Sequence, residues 1–165
     1  MLKLLHVINE HSESIHSIFH EKSNELISGD SDGFIIIWSS NNNQWNCSQT
    51  IKAHNKAIQF LIMNNNEDIF ISSRSDNTIK FWNKQKEWIY QSTINDYTSP
   101  VYQLSLNDEQ NKVISCGMDE KILIIKSGFQ FKILQLNVMD NEYALSTIIN
   151  SYFNHLKAIR CMSIK

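Results

Sequence analysis

Residues 27–38 read ISGDSDGFIIIW, two apolar stretches joined by a turn of Ser, Gly and Asp. The same arrangement returns at residues 71–82 as ISSRSDNTIKFW and at residues 114–125 as ISCGMDEKILII. A pattern that returns at a fixed period of about 20 to 50 residues is typical of a repeat architecture. The sequence therefore predicts a series of similar units.

Two features of these units keep the same period. The turn aspartates are 44 and 43 residues apart, at Asp32, Asp76 and Asp119. The second feature is an aromatic anchor with apolar residues four and seven positions later, and it occurs at His11, His54 and Tyr97. A further copy of the anchor opens at His155. Two patterns that share a period indicate units of about 43 residues.

The sequence of each unit predicts four short β-strands, because runs of β-branched residues alternate with turns rich in Ser, Asn and Asp. In the first unit we predict strands near 15–20, 25–30, 33–38 and 45–51. In the second unit we predict strands near 58–63, 68–73, 78–82 and 87–94. The third unit is predicted to begin with strands near 101–106, 112–117 and 121–126.

The spacing changes after the third unit. The stretch between Ile125 and His155 is longer by about fifteen residues than the stretches that precede the earlier anchors. We predict that residues 127–146 leave the repeat as an excursion, and a fourth strand that starts near residue 129 is the alternative. Trp45 and Trp88 lie at equivalent places before an anchor, so we predict that they pack between neighbouring units.

At these residues the chain resembles the WD-repeat family of β-propellers. The resemblance covers roughly residues 2–126 and 155–165, although Ser39 and Asn83 stand where the family usually has Asp after the tryptophan. It implies an all-β fold: a WD-repeat-type β-propeller that is incomplete. We expect an open arc of about three to four blades, each of four antiparallel strands.

The resemblance divides residues 1–165 into parts of one propeller. It implies an N-terminal closing strand at 2–8, blades at 9–51, 52–94 and 95–150 with an insertion near 127–146, and the start of a next blade at 151–165. Propellers close with at least about four blades. We therefore expect the ring to be completed by further sequence or by a partner chain that supplies the missing half of the propeller.

The resemblance also implies a buried relay of hydrogen bonds in each blade, from a turn Asp through the anchor His and a Ser to the Trp ring nitrogen. Carried over residue by residue, blade one offers Asp32, His11, Ser28 and Trp38. Blade two offers Asp76, His54, Ser72 and Trp82. Blade three keeps Asp119 and Ser115 but has Tyr97 and Ile125 in place of His and Trp, so we expect its relay to be broken or rewired.

Composition argues against several classes of protein. The net charge is -2, so no basic face for nucleic acid is predicted. The apolar runs are too short for a membrane span or a signal peptide. Cys47, Cys116 and Cys161 have neither metal-ligand nor redox spacing, which favours reduced thiols in the cytoplasm, or alternatively the nucleus. We predict no metal site and no cofactor.

The leading functional prediction is a non-catalytic scaffold that binds other proteins, as the resemblance implies. Partner contact is expected on the loops that connect His11, His54 and Tyr97 to the first strand of each blade, which we call the anchor loops. The residues are Glu13, Ser14, Asn55, Lys56, Thr98 and Ser99. A propeller-based hydrolase is the rival, but it would need inward carboxylates on the first strands. Instead, one such position carries Ser17, Phe60 and Gln103. A third interpretation is a non-functional fragment of a longer WD-repeat protein.

Overall fold

The computed structural model describes residues 8, 10–20, 24–42, 44–119, 121–126 and 132–137. In this part of the chain every regular element is a β-strand. The strands are β1 (Ile15–His20), β2 (Glu25–Asp30), β3 (Phe34–Asn41), β4 (Gln44–Lys52), β5 (Ile58–Met63), β6 (Ile69–Arg74), β7 (Ile79–Lys84), β8 (Trp88–Ile94), β9 (Val101–Leu106), β10 (Lys112–Gly117), β11 (Lys121–Lys126) and β12 (Lys132–Asn137). Within those residues, no helix has the length and apolar character needed to cross a bilayer.

The strands form three antiparallel sheets of four strands each, in the orders β1-β2-β3-β4, β5-β6-β7-β8 and β9-β10-β11-β12. Strands that follow one another in the chain are neighbours in the sheet, so each sheet is one propeller blade. The eleven strands predicted from the sequence are confirmed, and no observed end differs from its predicted end by more than three residues. The predicted closing strand at 2–8, apart from residue 8, and the predicted blade start at 151–165 lie outside the described residues.

The prediction of an excursion over residues 127–146 is wrong at residues 132–137. These residues form β12, which pairs antiparallel with β11 over six partners from Lys121–Asn137 to Lys126–Lys132. Because β11 would otherwise expose a row of unpaired backbone groups, a fourth strand completes the blade as it does in the other two sheets. The rest of 127–146 is outside the described residues.

Two apolar layers hold the three blades side by side. The layer between the first and second sheets consists of Ile27, Ile35, Ile37, Ala53, Ile58, Leu61, Met63, Phe70, Trp82 and Trp88. The layer between the second and third sheets includes Ile71, Ile79, Phe81, Ile94, Val101, Val113, Leu123 and Ile125. Four consecutive residues are buried along β3 and along β11, which explains the near-continuous apolar sequence of these third strands. The sheets do not close into a ring within the described part of the chain.

The predicted packing of Trp88 between blades is confirmed. Its side chain is 4% exposed and meets the ring of Phe70 edge-on, with 4.8 Å between the ring centroids. The Gln49 side chain of blade one accepts from the Trp88 amide and donates to the Trp88 carbonyl, both at 2.8 Å. These two bonds join the outer strands of blades one and two. Trp45, the equivalent residue of blade one, is half-buried.

Candidate functional site

Blade two brings together the four side chains of its implied relay. His54 Nδ1 lies 3.3 Å from Asp76 Oδ2, and His54 Nε2 lies 2.8 Å from Ser72 Oγ. Trp82 Nε1 lies 3.0 Å from the same Ser72 oxygen. His54 belongs to the loop before β5, whereas the other three residues belong to β6, β7 and the turn between them. The relay therefore fastens the anchor loop to the middle of its own blade.

The donors in this chain of bonds can be assigned from chemistry alone. The indole nitrogen of Trp82 can only donate, so Ser72 Oγ accepts from it. The Ser72 hydroxyl then donates to Nε2 of His54, which leaves the proton of the neutral imidazole on Nδ1. That proton points at the Asp76 carboxylate. One tautomer satisfies every member, and a fully satisfied buried network favours a single geometry.

The ionisation of the two titratable members follows from burial and from their partners. Burial lowers the pKa of His54 below its usual value of 6.5, although the hydrogen bond and charge of Asp76 oppose this shift. Burial by itself would raise the pKa of Asp76, but hydrogen bonds from His54, Thr78 and Arg74 lower the pKa well below its usual range. At neutral pH the pair is therefore a neutral imidazole and a carboxylate.

Blade one has the same relay but a different acid from the predicted one. Asp30 Oδ2 lies 2.8 Å from His11 Nδ1, and Ser28 Oγ lies 2.6 Å from His11 Nε2 and 2.8 Å from Trp38 Nε1. The assignment of Asp32 to this role is wrong. Ser28 and Asp30 are two residues apart on β2 and share a face, since side chains alternate along a strand. Asp32 lies beyond the strand and is exposed.

Asp30 also closes the turn that follows β2. Its Oδ1 accepts from the backbone amides of Asp32 at 3.1 Å and of Phe34 at 2.8 Å. The side chain of Asp30 therefore holds the anchor histidine with one oxygen and the turn with the other. In blade two, Arg74 has the equivalent position on β6, and the acid comes from the turn instead. Arg74 is fully buried and donates from Nη1 to Asp76 Oδ2 at 2.9 Å.

The relay of blade three is rewired. Tyr97 takes the place of the histidine, and its hydroxyl donates directly to Ser115 Oγ at 2.8 Å. Burial raises the pKa of Tyr97, so the phenol stays protonated. The position equivalent to Asp30 and Arg74 is Gly117, where an added Cβ would lie 2.7 Å from the Tyr97 ring. The absent side chain makes room for the larger anchor.

Asp119 of blade three holds the anchor loop by its backbone. Its Oδ2 accepts from the Thr98 amide at 2.8 Å and from the Thr98 hydroxyl at 3.0 Å. In all three blades, an acid at the end of the second strand or in the turn after it therefore fixes the loop that leads into the first strand. The loops before β1, β5 and β9 lie at the same end of their blades.

These loops carry the residues for which partner contact was predicted. Exposed members are Glu13, Ser14, Asn55, Lys56 and Thr98, whereas Ser99 is half-buried. The Ser14 carbonyl accepts from the Ser31 amide at 2.9 Å. The Gly33 carbonyl accepts from the amides of Ala53 at 3.0 Å and His54 at 3.1 Å. The loops are thus tied down by their backbones while most of the named side chains face solvent.

Two buried asparagines, Asn64 and Asn107, shape turns of the blades and are not among the residues predicted from the sequence. Asn64 Oδ1 accepts from the amides of Asp68 and Ile69 at 3.2 and 3.0 Å. Asn107 does the same in blade three, accepting from Asn111 and Lys112 at 3.0 and 2.7 Å. Each side chain closes the turn between the first and second strands of its blade. Their separation by one repeat period is the signal that could have identified them.

The described residues contain no group of three or more His, Cys, Asp or Glu side chains placed to hold a metal ion. The three positions weighed for a catalytic channel are equivalent in register: Ser17 pairs with Gly29, Phe60 with Ser73, and Gln103 with Cys116. Strands β1, β5 and β9 carry no Asp or Glu in their sequences. The first strands therefore lack the ring of carboxylates that a channel hydrolase needs.

Comparison with known proteins yields one family and several partial relatives. The family model described as "WD domain, G-beta repeat" matches residues 2–39 and 45–83. The p21-activated protein kinase-interacting protein 1-like of Xenopus laevis is 32% identical over 73 residues, which cover 44% of this chain and 20% of that protein. Restriction of telomere capping protein 1 of Candida dubliniensis is 24% identical over 145 residues, which cover 76% of this chain and 13% of that protein. The chain thus spans a fifth or less of the length of these relatives.

Among solved structures, the crystal structure of Saccharomyces cerevisiae Sqt1 matches with a TM-score of 0.70 at 12% identity. The match covers 79% of this chain and 37% of that one, and it bears on the fold alone. The family match falls on the first two blades, where the relays with His, Ser and Trp are found. Sheets, repeats and family match agree: residues 2–39 and 45–83 of this chain are WD repeats, and the described strands form blades of the β-propeller type.

Proposed function

We propose that the chain is a non-catalytic scaffold that binds other proteins through the loops that precede β1, β5 and β9. The partner-contact residues in this proposal are Glu13, Ser14, Asn55, Lys56, Thr98 and Ser99. They stand on loops whose backbones are fixed by acids of the same blades. A rigid backbone with exposed side chains suits partner binding, because little conformational entropy is lost when a partner docks.

One observation carries this proposal. The histidines and the acids that pair with them, which would be the candidates for catalysis, are used in buried bonds within the blades. His54 Nε2 faces Ser72 and its Nδ1 faces Asp76, so neither ring nitrogen is turned toward a substrate. A general base must be within hydrogen-bond reach of the proton that it abstracts. The relay histidine therefore has a structural role, and the loops that it holds in place carry the exposed side chains.

The relatives support the same kind of function in a general way. The Xenopus laevis relative bears the name of an interacting protein. From this name we propose for the present chain only the general class of function, the binding of other proteins, and not the partner that the name mentions. We do not favour the hydrolase alternative, because β1, β5 and β9 carry no Asp or Glu for a channel site.

The test is a comparison of two charge-reversal variants of the full chain. Lys56→Glu changes an anchor loop, whereas Lys86→Glu changes an exposed residue between β7 and β8, at the opposite end of blade two. Proteins retained from lysate by each variant are quantified by mass spectrometry. We expect a set of proteins that is lost with Lys56→Glu and kept with Lys86→Glu. Equal retention by both variants would contradict the proposal.

A further inference from the structure

Blade three carries an apolar side chain that the repeat does not require. Met118 lies in the turn between β10 and β11 and is 63% exposed, more than any other exposed large hydrophobic side chain that the structure describes. The equivalent residues of blades one and two are Ser31 and Ser75, and both are half-buried. Two blades form this turn with a serine, so packing within the blade does not explain the methionine.

Other exposed apolar residues have simpler explanations. Ile15 is 46% exposed, but its equivalents Ile58 and Val101 are fully buried against a neighbouring sheet. Ile15 begins the first described blade, where no described sheet precedes it. Ile89 and Tyr90 are 42% and 54% exposed on β8, an outer strand that starts at the end of the blade opposite the anchor loops. Among these residues, only Met118 is both highly exposed and next to an anchor loop in a blade that has a described sheet before it.

The backbone beneath Met118 is held in place. The Met118 amide donates to the Pro100 carbonyl at 2.9 Å, and the next residue, Asp119, accepts two bonds from Thr98. The turn is thus docked on the anchor loop of its own blade. A fixed backbone here presents a flexible thioether side chain, a type that adapts to the shape of a partner and is frequent at binding surfaces.

The surroundings of Met118 are acidic. Asp96, at the position where blade two has the buried Ala53, is exposed, and Asp119 is half-buried beside Met118. Residues 95–101 and 117–121 contain three acids, Asp96, Asp119 and Glu120, and one base, Lys121. An apolar side chain among carboxylates is complementary to a segment in which an apolar residue lies between basic ones.

We propose that Met118 and Asp96 form the contact for one kind of partner: a protein segment with an apolar side chain flanked by Lys or Arg. This inference rests on the proposed scaffold function and names the chemistry of the partner for the blade-three part of that surface. Met118 supplies the apolar contact, whereas Asp96 and Asp119 supply the charge that orients the segment. The probes are two fluorescently labelled peptides. In one a leucine is flanked by arginines, and in the other the leucine is flanked by glutamates.

The experiment measures the affinity of the full chain for both peptides by fluorescence anisotropy. We expect the arginine peptide to bind and the glutamate peptide to bind at least about tenfold more weakly. Met118→Ser should weaken the binding of the arginine peptide by about tenfold, as expected for a central contact. This variant restores the residue that blades one and two have, so its folding is not at risk. Asp96→Ala, the residue of blade two, should weaken binding and reduce its salt dependence.

The matched control is Ile89→Asn, which places the residue of blade one on the rim of blade two and should leave peptide binding unchanged. Equal binding of the two peptides would overturn the proposal, and so would full affinity in Met118→Ser. Failure here is distinct from failure of the scaffold function. If partners depend on Lys56 but not on Met118, the anchor loops bind proteins and the blade-three contact is refuted.

Discussion

Blades one and two hold the same kind of histidine with acids from different places. In blade one the acid is Asp30, the last residue of β2, whereas in blade two it is Asp76, in the turn beyond β6. The difference follows from the residue at the end of the second strand. Where that residue is an acid it meets the histidine itself, and where it is Arg74 it draws an acid in from the turn. The histidine contact tolerates this exchange because both acids reach the same nitrogen.

The largest expected effect comes from Gly33, in the turn of blade one. Its φ is 86°, and an added Cβ would lie 2.6 Å from the carbonyl oxygens of both His54 and Lys56. Backbone atoms of the next blade cannot move aside cheaply, so Gly33→Ala should lower the free energy of unfolding by about 4 kcal/mol or more. Urea denaturation followed by tryptophan fluorescence measures this. A loss below about 1 kcal/mol would mean that the two blades separate easily at this point.

The next effect tests the acid of blade two. Asp76→Ala should cost about 3–5 kcal/mol, since it leaves the buried Arg74 guanidinium without its carboxylate. Two other nitrogens of Arg74, Nε and Nη2, have no hydrogen-bond partner among the described residues, which makes Arg74 still more dependent on Asp76.

The double variant Asp76→Ala with Arg74→Met is the control for this interpretation. It removes the stranded charge, so it should recover a large part of the lost stability in the same urea experiment. A double variant as unstable as Asp76→Ala would show that the loss comes from the histidine contact alone.

The acid of blade one is tested by two neighbouring variants. Asp30→Ala should cost about 1–3 kcal/mol, because it strands a buried imidazole donor and two turn amides. Asp32→Ala should change stability by less than about 0.5 kcal/mol, as expected for an exposed side chain outside the relay. Thermal or urea unfolding of both variants compares them directly. The reverse order of effects would restore Asp32 to the relay.

The contrast between these two aspartates shows what the sequence could and could not predict. Period and polarity located all eleven predicted strands, because strand formation depends on patterns that every blade repeats. The choice between Asp30 and Asp32 depends on which face of the strand a side chain occupies and on where β2 ends. A repeat alignment matches residues of one type at one spacing, so it selected Asp32. Since Ser28 and Asp30 are two residues apart, strand alternation was the overlooked signal.

The buried asparagines were missed for a related reason. Asn64 begins a run of three asparagines, and its composition is that of an ordinary loop. Asn64 is 7% exposed, whereas the two asparagines that follow it are exposed. The asparagine one repeat period later, Asn107, was the overlooked signal. Its function in the turn depends on backbone amides, which carry no sequence signature of their own.

Acidification should lower the stability of blade two in two separate pH ranges. The folded pKa of His54 is below its usual value of 6.5, so the folded state binds fewer protons than the unfolded chain as pH falls below that value. Stability present above pH 6.5 is then lost on acidification. Asp76 acts with the same sign below its usual value of 3.8.

The expected slope is at most about 1.4 kcal/mol per pH unit for one proton. Urea midpoints between about pH 7.5 and 5 measure it for the unmodified chain and for His54→Gln. The variant should lose stability less steeply in this interval. Parallel curves would indicate that His54 is not the group that takes up the proton.

The smallest expected change in stability concerns the turns between the second and third strands of blades one and two. Asn77 has the position in blade two that Gly33 has in blade one, and its φ is 68°, also in the left-handed region. Asn is the side chain that best tolerates this conformation, so Asn77→Gly removes little strain and adds some entropy to the unfolded chain. We expect a change in the free energy of unfolding within about 0.5 kcal/mol. Asn42→Gly, at a φ of 50° in the exposed turn after β3, is the matched control and should behave alike. If Asn77→Gly alone were costly, the Asn77 side chain would be a further support of the Asp76 turn, and the two blades would differ in one more respect.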